Sequence, residues 1–365
     1  MAKALALAGR GRGSTSPNPM VGAVIVSGNR IVGQGYHRRA GGSHAEVIAL
    51  ASAGRRARDA ALYVTLEPCC HTNKRTPPCV PAIIASGLRR VVVAMRDPNL
   101  QVNGKGIQRL RGAGLDVAVG CLRDRAERLN EAYIHWIKTG RPFVLLKAAM
   151  TLDGKIATAS GESQWISGEA ARREVHRLRR QIDAVMVGIG TVLRDDPSLT
   201  ARLSRGARQQ TTGRQPLRVI VDSRLRIPLT AKALTASPSS PTVIVTTKQA
   251  SKRRIEQLKM RGATVLIVSM RDGRVSLADC LIRLGKMGVT TVLLEGGSEL
   301  NAAALRAGLV NRIRLYVAPM LLGGQDAKGM IGGPSPKKLA GGLRLNDLRI
   351  GRAGDDIVLE AVPSL

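Results

Sequence analysis

A chain of 365 residues, 44% hydrophobic and 23% charged, is too long for one ordinary core and has the composition of a folded two-domain protein. Its formal net charge of +31 invites a nucleic-acid partner, yet residues 1–143 hold 22 Lys and Arg against 8 Asp and Glu, and the rest 35 against 18. An excess spread that evenly, with 2% aromatic residues for base stacking, argues a solvated basic surface and against a nucleic-acid groove. No apolar run approaches the ~20 residues that span a bilayer, and the N-terminus lacks a signal-peptide core, so a cytoplasmic protein without membrane partners is expected. The 5 cysteines are an odd number, and Cys69, Cys70 and Cys79 crowd together. That pattern suits a metal site in a reducing compartment better than a disulfide framework.

In chain order, VGAVIV from Val21, a turn at Ser27-Gly28-Asn29 and RIVGQGYH predict a hairpin. HAEVIALASA (44–53) has helical spacing and strong helix formers. ALYVTLEPC (61–69) predicts a strand, Cys79–Gly87 a helix closed by glycine, and RRVVVAMRDP another strand. A helix over Ile107–Gly114, a strand LDVAVG and a helix over Asp124–Gly140 follow. This alternation predicts a three-layer α/β domain with a mostly parallel sheet. Thr139-Gly140-Arg141-Pro142 marks a break, which sets domains at 1–143 and 144–365. Beyond it FVLLKAAM, a helix over Ser167–Arg180 with Ser167 as its cap, AVMVGIG, RVIVDS, TVIVTT, TVLIVS, TVLLEGG, RIRLYVAPMLLGG and DIVLEAV predict a second α/β set.

His44, Cys69 and Cys79 carry the sharpest chemical signal. One imidazole and two thiolates leave a fourth tetrahedral position for water, the plan of a catalytic zinc. Such a metal lowers the pKa of its water toward ~7, making hydroxide available near neutrality. Glu46 is close enough to take that proton and return it to leaving ammonia. Positions i and i+2 do not share a helix face, so His44 must stand at the very start of its helix. Cys79 also opens a helix, whose positive end favours thiolate. The order H-x-E, then P-C and a further Cys, is the signature of zinc deaminases of nucleobases. Cys70 competes with Cys69 as ligand, and the Pro68-Cys69 pair favours Cys69.

The insert CHTNKRTPPC with NPMVGAVIV and LYVTLEPCCH resembles the deaminase half of the bifunctional riboflavin-biosynthesis deaminase/reductase family. LLKAAMTLDGKIA, SGESQWIS, VGIGTVLRDDPSLTAR, VDSRLRIP and LLEGGSELNAA resemble its reductase half, so the likeness covers nearly the whole chain. It implies a cytidine-deaminase-like domain followed by a dihydrofolate-reductase-like domain. The implied chemistry is hydrolytic deamination of a diaminopyrimidinone ribosyl 5'-phosphate, then NADPH reduction of the ribosyl to a ribityl chain. It implies Asn18, His37, His71 and Arg75 as substrate contacts in the first half; one extra residue in the insert leaves Lys74 or Arg75 open. In the second half it implies Ser163, Arg179, Leu199, Arg202 and Glu295 for substrate. For cofactor it implies Ala149, Trp165, Thr191, Asp195, Ser223 and the run Gly297, Ser298, Glu299, Leu300, Asn301, Ala302 and Ala303. The guanidinium forks of Arg179 and Arg202 suit the substrate phosphate. A homo-oligomer is implied as well.

Residue by residue, plainer readings stand beside these. Arg179 lies in RLRR, which reads also as a solvated helix face, Trp165 as core, and Asp195-Asp196-Pro197 as a turn. Glu295-Gly296-Gly297 after a strand lets backbone N–H groups approach an anion, and serves equally as a tight turn. Two other functions compete: a deaminase of bases in nucleic acid with a C-terminal docking module, and a basic RNA-binding protein with a structural zinc.

Overall fold

The computed structural model describes residues 1–72, 76–205, 208–210, 214–235 and 240–364. The chain forms two compact units, Met1–Arg141 and Pro142–Leu365.

The first unit runs α1 (Ala2–Ala8), β1 (Gly22–Ser27), β2 (Arg30–Tyr36), α2 (Ala45–Ala53), β3 (Ala61–Val64), α3 (Cys79–Ala85), β4 (Arg90–Val93), α4 (Lys105–Gly112), β5 (Asp116–Val119), α5 (Arg123–Leu129) and α6 (Glu131–Thr139). Its sheet has the order β2-β1-β3-β4-β5. β1 is antiparallel to both neighbours, and β3, β4 and β5 are parallel. The sheet is therefore mixed where the sequence predicted a mostly parallel one. The tight hairpin returns the chain beside β1, and the α2 crossover then lays β3 on the other edge of β1. Ile25, Leu62, Val64, Ile83, Val91 and Val93 fill an aliphatic core.

Two glycines bring α2 down onto this sheet. A Cβ on Gly33 would sit 2.3 Å from the Ala49 carbonyl, and one on Gly35 2.5 Å from the Ala45 carbonyl. Glycine alone allows the backbone of α2 to touch β2, which fixes where the helix begins.

The run from Asp124 to Gly140 breaks into two helices at Asn130. Its side-chain oxygen accepts from Met20 N at 2.8 Å and its amide donates to Met20 O at 3.0 Å. That clamp holds Asn130 at φ −108°, ψ 19°, outside the helical region.

The second unit opens with β6 (Phe143–Thr151), β7 (Lys155–Ala157), α7 (Glu169–Gln181), β8 (Ala184–Gly188), α8 (Ile189–Asp195), β9 (Leu203–Arg205), β10 (Arg208–Gln210) and β11 (Leu217–Val221). It continues through α9 (Lys232–Thr235), β12 (Thr242–Thr246), α10 (Lys252–Met260), β13 (Thr264–Ile267), β14 (Met270–Arg271), β15 (Arg274–Val275), α11 (Leu277–Lys286) and β16 (Thr291–Leu294). It closes with α12 (Ser298–Arg306), β17 (Arg312–Ala318), β18 (Lys328–Gly329), β19 (Leu345–Ala353) and β20 (Asp356–Pro363). The large sheet has the order β13-β12-β11-β8-β16-β6-β17-β20-β19. It is parallel as far as β17, and β20 and β19 are added antiparallel.

Its parallel strands are apolar on both faces, as a sheet covered on two sides requires. Val219, Val243 and Val245 enter one core with Leu146 and Leu284, while Ile220 and Ile244 enter another with Val185 and Leu258. Helix α7 starts at Glu169, one residue later than a cap at Ser167 predicts. Gly168 is its N-cap, and Gly168 N donates to Asp356 Oδ2 at 2.8 Å. The run AVMVGIG bends into α8 at Ile189, and β19 carries too little apolar alternation to be read in advance.

Candidate active sites

In the first unit His44 is the N-cap of α2, with extended backbone (φ −74°, ψ 159°), and Glu46 lies in the first turn. That is the placement the i, i+2 spacing demanded. Cys79 is the first residue of α3, and its amide donates to Cys69 O at 3.0 Å, which closes the loop that carries Cys69. His44 Nδ1 lies 3.2 Å from Cys79 Sγ and 3.4 Å from Cys69 Sγ. Among the described residues these three form a group able to hold a metal, with donor atoms all within 4.8 Å of one another. Cys70 is buried in the core and is not in that group.

The donor set fits zinc. A tetrahedral ion with bonds of ~2.0 Å to nitrogen and ~2.3 Å to sulfur sets those atoms about 3.5 Å apart. Thr76 Oγ1 lies 3.0 Å from His44 Nε2, so the other ring nitrogen is held by a hydrogen bond that orients the imidazole. Glu46 is buried, and its Oε2 has no hydrogen-bond partner among the described residues. An orphaned carboxylate oxygen beside such a group is what a water-activating site leaves when seen without ligands. Burial, and then the Cys69 sulfur, push the Glu46 pKa above the ordinary carboxylate value.

Around this group is a cavity of about 570 Å³ lined by Asn18, His37, His44, Glu46, Cys69 and His71. Of the substrate contacts implied by resemblance, the structure brings together Asn18, His37 and His71; Lys74 and Arg75 lie outside the described residues. His37 is buried, with Nδ1 3.1 Å from Ser43 O and Nε2 3.1 Å from Asn18 Nδ2. A carbonyl can only accept, so Nδ1 carries the proton and Nε2 accepts from the Asn18 amide. This leaves Asn18 Oδ1 as the acceptor for a ligand. Burial lowers the His37 pKa, in keeping with a neutral ring.

The same cavity includes residues that no sequence pattern singles out: Thr76, Asp97, Tyr133 and Trp136. Tyr133 Oη donates to Asp97 Oδ1 at 3.0 Å, and burial raises the Asp97 pKa to about 6. Only the folding of α6 over the sheet brings Tyr133 to Asp97. Glu67 stands behind them and accepts from the backbone amides of Asp97, Gly104, Gly106 and Ile107 at 2.9 to 3.2 Å. It ties the carboxyl end of the sheet to the start of α4.

The second unit has a cavity of about 1320 Å³ beside the carboxyl ends of its parallel strands, where open α/β sheets bind ligands. Ala149, Ser163, Trp165, Thr191, Asp195, Leu199, Arg202, Glu295, Gly297 and Asn301 line it with Arg179. Ser298, Glu299, Leu300, Ala302 and Ala303 are on α12 but do not line it; nor does Ser223, whose Oγ accepts from Val275 N at 3.0 Å.

Arg179 and Glu295 form a buried two-pronged pair at 2.7 and 2.8 Å, and Arg179 Nη1 also donates to Thr200 O at 3.1 Å. Burial alone would raise the Glu295 pKa; the charge and hydrogen bonds of Arg179 bring it down to about 2. The fork that the sequence assigns to a phosphate is thus engaged with a carboxylate. Lys147 and His176, which sequence reasoning passed over, line the same cavity. His176 Nδ1 accepts from Arg202 N at 3.2 Å, and burial, then Arg179 and Arg202, lower its pKa to about 4.

Residues 1–95 match the cytidine and deoxycytidylate deaminase zinc-binding region, and residues 142–359 match the RibD C-terminal domain. The chain is 44% identical over 362 residues to the riboflavin biosynthesis protein RibD of Actinobacillus pleuropneumoniae, covering 99% of this chain and 94% of that one. Against RibD of Escherichia coli K12 the identity is 43%, covering 99% and 98%. Among solved structures, Acinetobacter baumannii RibD superposes with a TM-score of 0.89 at 41% identity, covering 100% of this chain and 98% of that one. The diaminohydroxyphosphoribosylaminopyrimidine deaminase/5-amino-6-(5-phosphoribosylamino)uracil reductase of Thermotoga maritima gives 0.85 at 32%, covering 100% and 97%. With both halves matched and the relatives collinear from end to end, the chain belongs to the RibD family: it is a bifunctional enzyme of riboflavin biosynthesis, a zinc-binding deaminase joined to an NADPH-dependent reductase.

Proposed function

We propose that residues 1–141 deaminate a diaminopyrimidinone ribosyl 5'-phosphate and that residues 142–365 reduce the ribosyl of the deaminated product. The observation that carries the reading is the convergence of His44 Nδ1, Cys69 Sγ and Cys79 Sγ beside the orphaned Glu46 oxygen, in a cavity roomy enough for a nucleobase. His44, Cys69 and Cys79 hold the zinc. Zinc, when bound, supplies the Lewis acidity that makes a water acidic near neutrality. Glu46 takes the proton of the attacking water and passes it to the departing amino group, so ammonia leaves and a ring carbonyl remains. Asn18, oriented by His37, accepts from a ring N–H through Oδ1; His71 reads the other ring edge, and Lys74 or Arg75 meets the phosphate.

In the second cavity Ala149, Trp165, Thr191, Asp195, Gly297 and Asn301 hold NADPH, and the rest of the run to Ala303, with Ser223, supports that wall from outside the cavity. Ser163, Leu199, Arg202 and Glu295 hold the product of the first reaction, and Arg179 keeps Glu295 ionised and in place. NADPH, when bound, supplies the hydride; the protein supplies orientation and electrostatics. The phosphorylated pyrimidine is a small-molecule substrate, and the +31 charge favours its approach.

We place the enzyme in the cytoplasm, where thiol ligands stay reduced. No helix among the described residues is long and apolar enough to cross a membrane. A homo-oligomer is supported by β19, an edge strand with exposed Leu345, Leu348 and Ile350; sedimentation of the purified chain tests it.

The deciding experiment supplies the diaminopyrimidinone ribosyl phosphate with NADPH to zinc-quantified protein and follows ammonia and cofactor separately. Ammonia must appear before cofactor is consumed. Stoichiometric zinc with no ammonia would sink the reading.

A further inference from the structure

Trp165 stands in the wall of the larger cavity with 67% of its surface exposed. A large planar ring left open inside a cavity offers a face on which another planar ring can stack. One face of the indole is already covered: the guanidinium carbon of Arg172 lies 4.9 Å from the ring centroid. Arg172 belongs to the first turns of α7, and its Nη1 donates to the Ser167 carbonyl at 2.5 Å. The helix holds the stem of this side chain and the loop carbonyl holds its planar head. Gly168, whose amide donates to Asp356, anchors the helix start from which Arg172 projects. The indole sits on the segment between β7 and α7, and the Arg172 guanidinium lies over its ring. With the guanidinium over one face, Trp165 still leaves most of its surface open beside the cavity.

We propose that Arg172 is a positioning residue for the cofactor: it backs the Trp165 indole so that the open face stacks on a planar ring of the nicotinamide dinucleotide. The proposal rests on the reading that Trp165 lines the cofactor part of this cavity. A guanidinium suits the task because it is planar, always charged and weakly hydrated, so it adds planar stacking to the cation–π attraction that a point-like ammonium also has. Arg172 therefore acts through Trp165 and not by gripping a phosphate itself.

The test is a double-mutant cycle on the full-length, zinc-loaded enzyme, with NADPH as the probe. Arg172→Gln and Trp165→Ala are each expected to raise the NADPH Kd about tenfold, the size of one partly desolvated stacking contact. The double variant is expected to be no weaker than Trp165→Ala alone, because the backing has nothing left to hold. Arg172→Lys should behave nearly as Arg172→Gln, and Trp165→Phe should recover part of the affinity. For Arg172→Gln the loss should appear in the Kd and KM for NADPH more than in kcat at saturating NADPH, since it is in ground-state binding. The chain has 2 tryptophans, so in a Trp136→Phe background the emission of Trp165 reports on its own surroundings. Arg172→Gln should shift that emission to the red and weaken its quenching by saturating NADPH, an effect that a general loss of stability does not produce while the melting temperature holds.

Losses that multiply in the double variant would show that Arg172 meets the ligand directly, and the proposal fails. An unchanged Kd in Arg172→Gln defeats it as well. If Trp165→Ala leaves the NADPH Kd alone and instead raises KM for the pyrimidine, the cofactor reading of Trp165 is what fails. Full retention of affinity by Arg172→Lys points to charge in place of planar backing and also overturns the proposal.

Discussion

His44 is held from two sides, by the thiol sulfurs at Nδ1 and by Thr76 at Nε2, while Glu46 waits two residues on. Glu46→Gln keeps the shape and removes the proposed base, so deamination should fall by roughly 10²–10⁴ with zinc content and NADPH oxidation on supplied product unchanged. Thr76→Val removes the hydrogen bond that orients the imidazole; competition with a chelator should show zinc affinity lower by about 10–100-fold. His176 gives a pH signature. Its folded pKa of about 4, against an ordinary 6.5, means that the unfolded chain binds more protons between those values. The second unit should therefore lose stability as pH falls from 6.5 toward 4, with Arg179 and Arg202 opposing protonation and Glu295 favouring it. Melting curves across that range should be flatter for His176→Gln; an identical slope would refute the assignment.

The seating of helices on sheets depends on contacts between backbones. Gly35→Ala places a methyl 2.5 Å from the Ala45 carbonyl, at the start of the helix that carries His44 and Glu46. Overpacking of this kind costs about 1–3 kcal/mol, and here it also displaces ligands, so the variant should melt lower and retain less zinc. Glu67 bonds four backbone amides with two oxygens; Glu67→Gln leaves one oxygen and an amide that cannot accept. Leaving buried donors unpaired costs about 1–3 kcal/mol each, so denaturant unfolding of the first unit should shift to a lower midpoint. The helix over 124–140 was legible as helix, but its break at Asn130 was not, because the clamp on Met20 joins residues 110 positions apart.

Since each unit has its own core and its own cavity, the two activities should part cleanly. Removing zinc from the intact chain should abolish ammonia release and leave NADPH oxidation on supplied deaminated product; readded zinc should restore the first activity. Loss of both activities on chelation would show that the second unit depends on the metal. The even spread of positive charge predicts that KM for the phosphorylated substrate rises with ionic strength in both reactions, as screening shortens the reach of the field.

The sequence alone pointed to His44, Cys69 and Cys79 as the proposed ligand set, because zinc accepts a narrow choice of donors, and the structure brings those three donor atoms within 4.8 Å of one another. It determined the apolar strands of the second sheet too, since burial on both faces writes short runs of Val and Ile, 219–221 in one strand and 243–245 in the next. The polar positions around the cavities were decided only by tertiary structure. Tyr133 reaches Asp97, Thr76 reaches His44, and Arg179 closes on Glu295 across 36, 32 and 116 positions. A lone Tyr, Thr or Arg carries no periodicity, and its partner is set by how elements far apart in sequence pack. The outer strand β19 was hidden for a related reason: an edge strand faces solvent, and its pairing with β20 asks for backbone hydrogen bonds and no particular side chains.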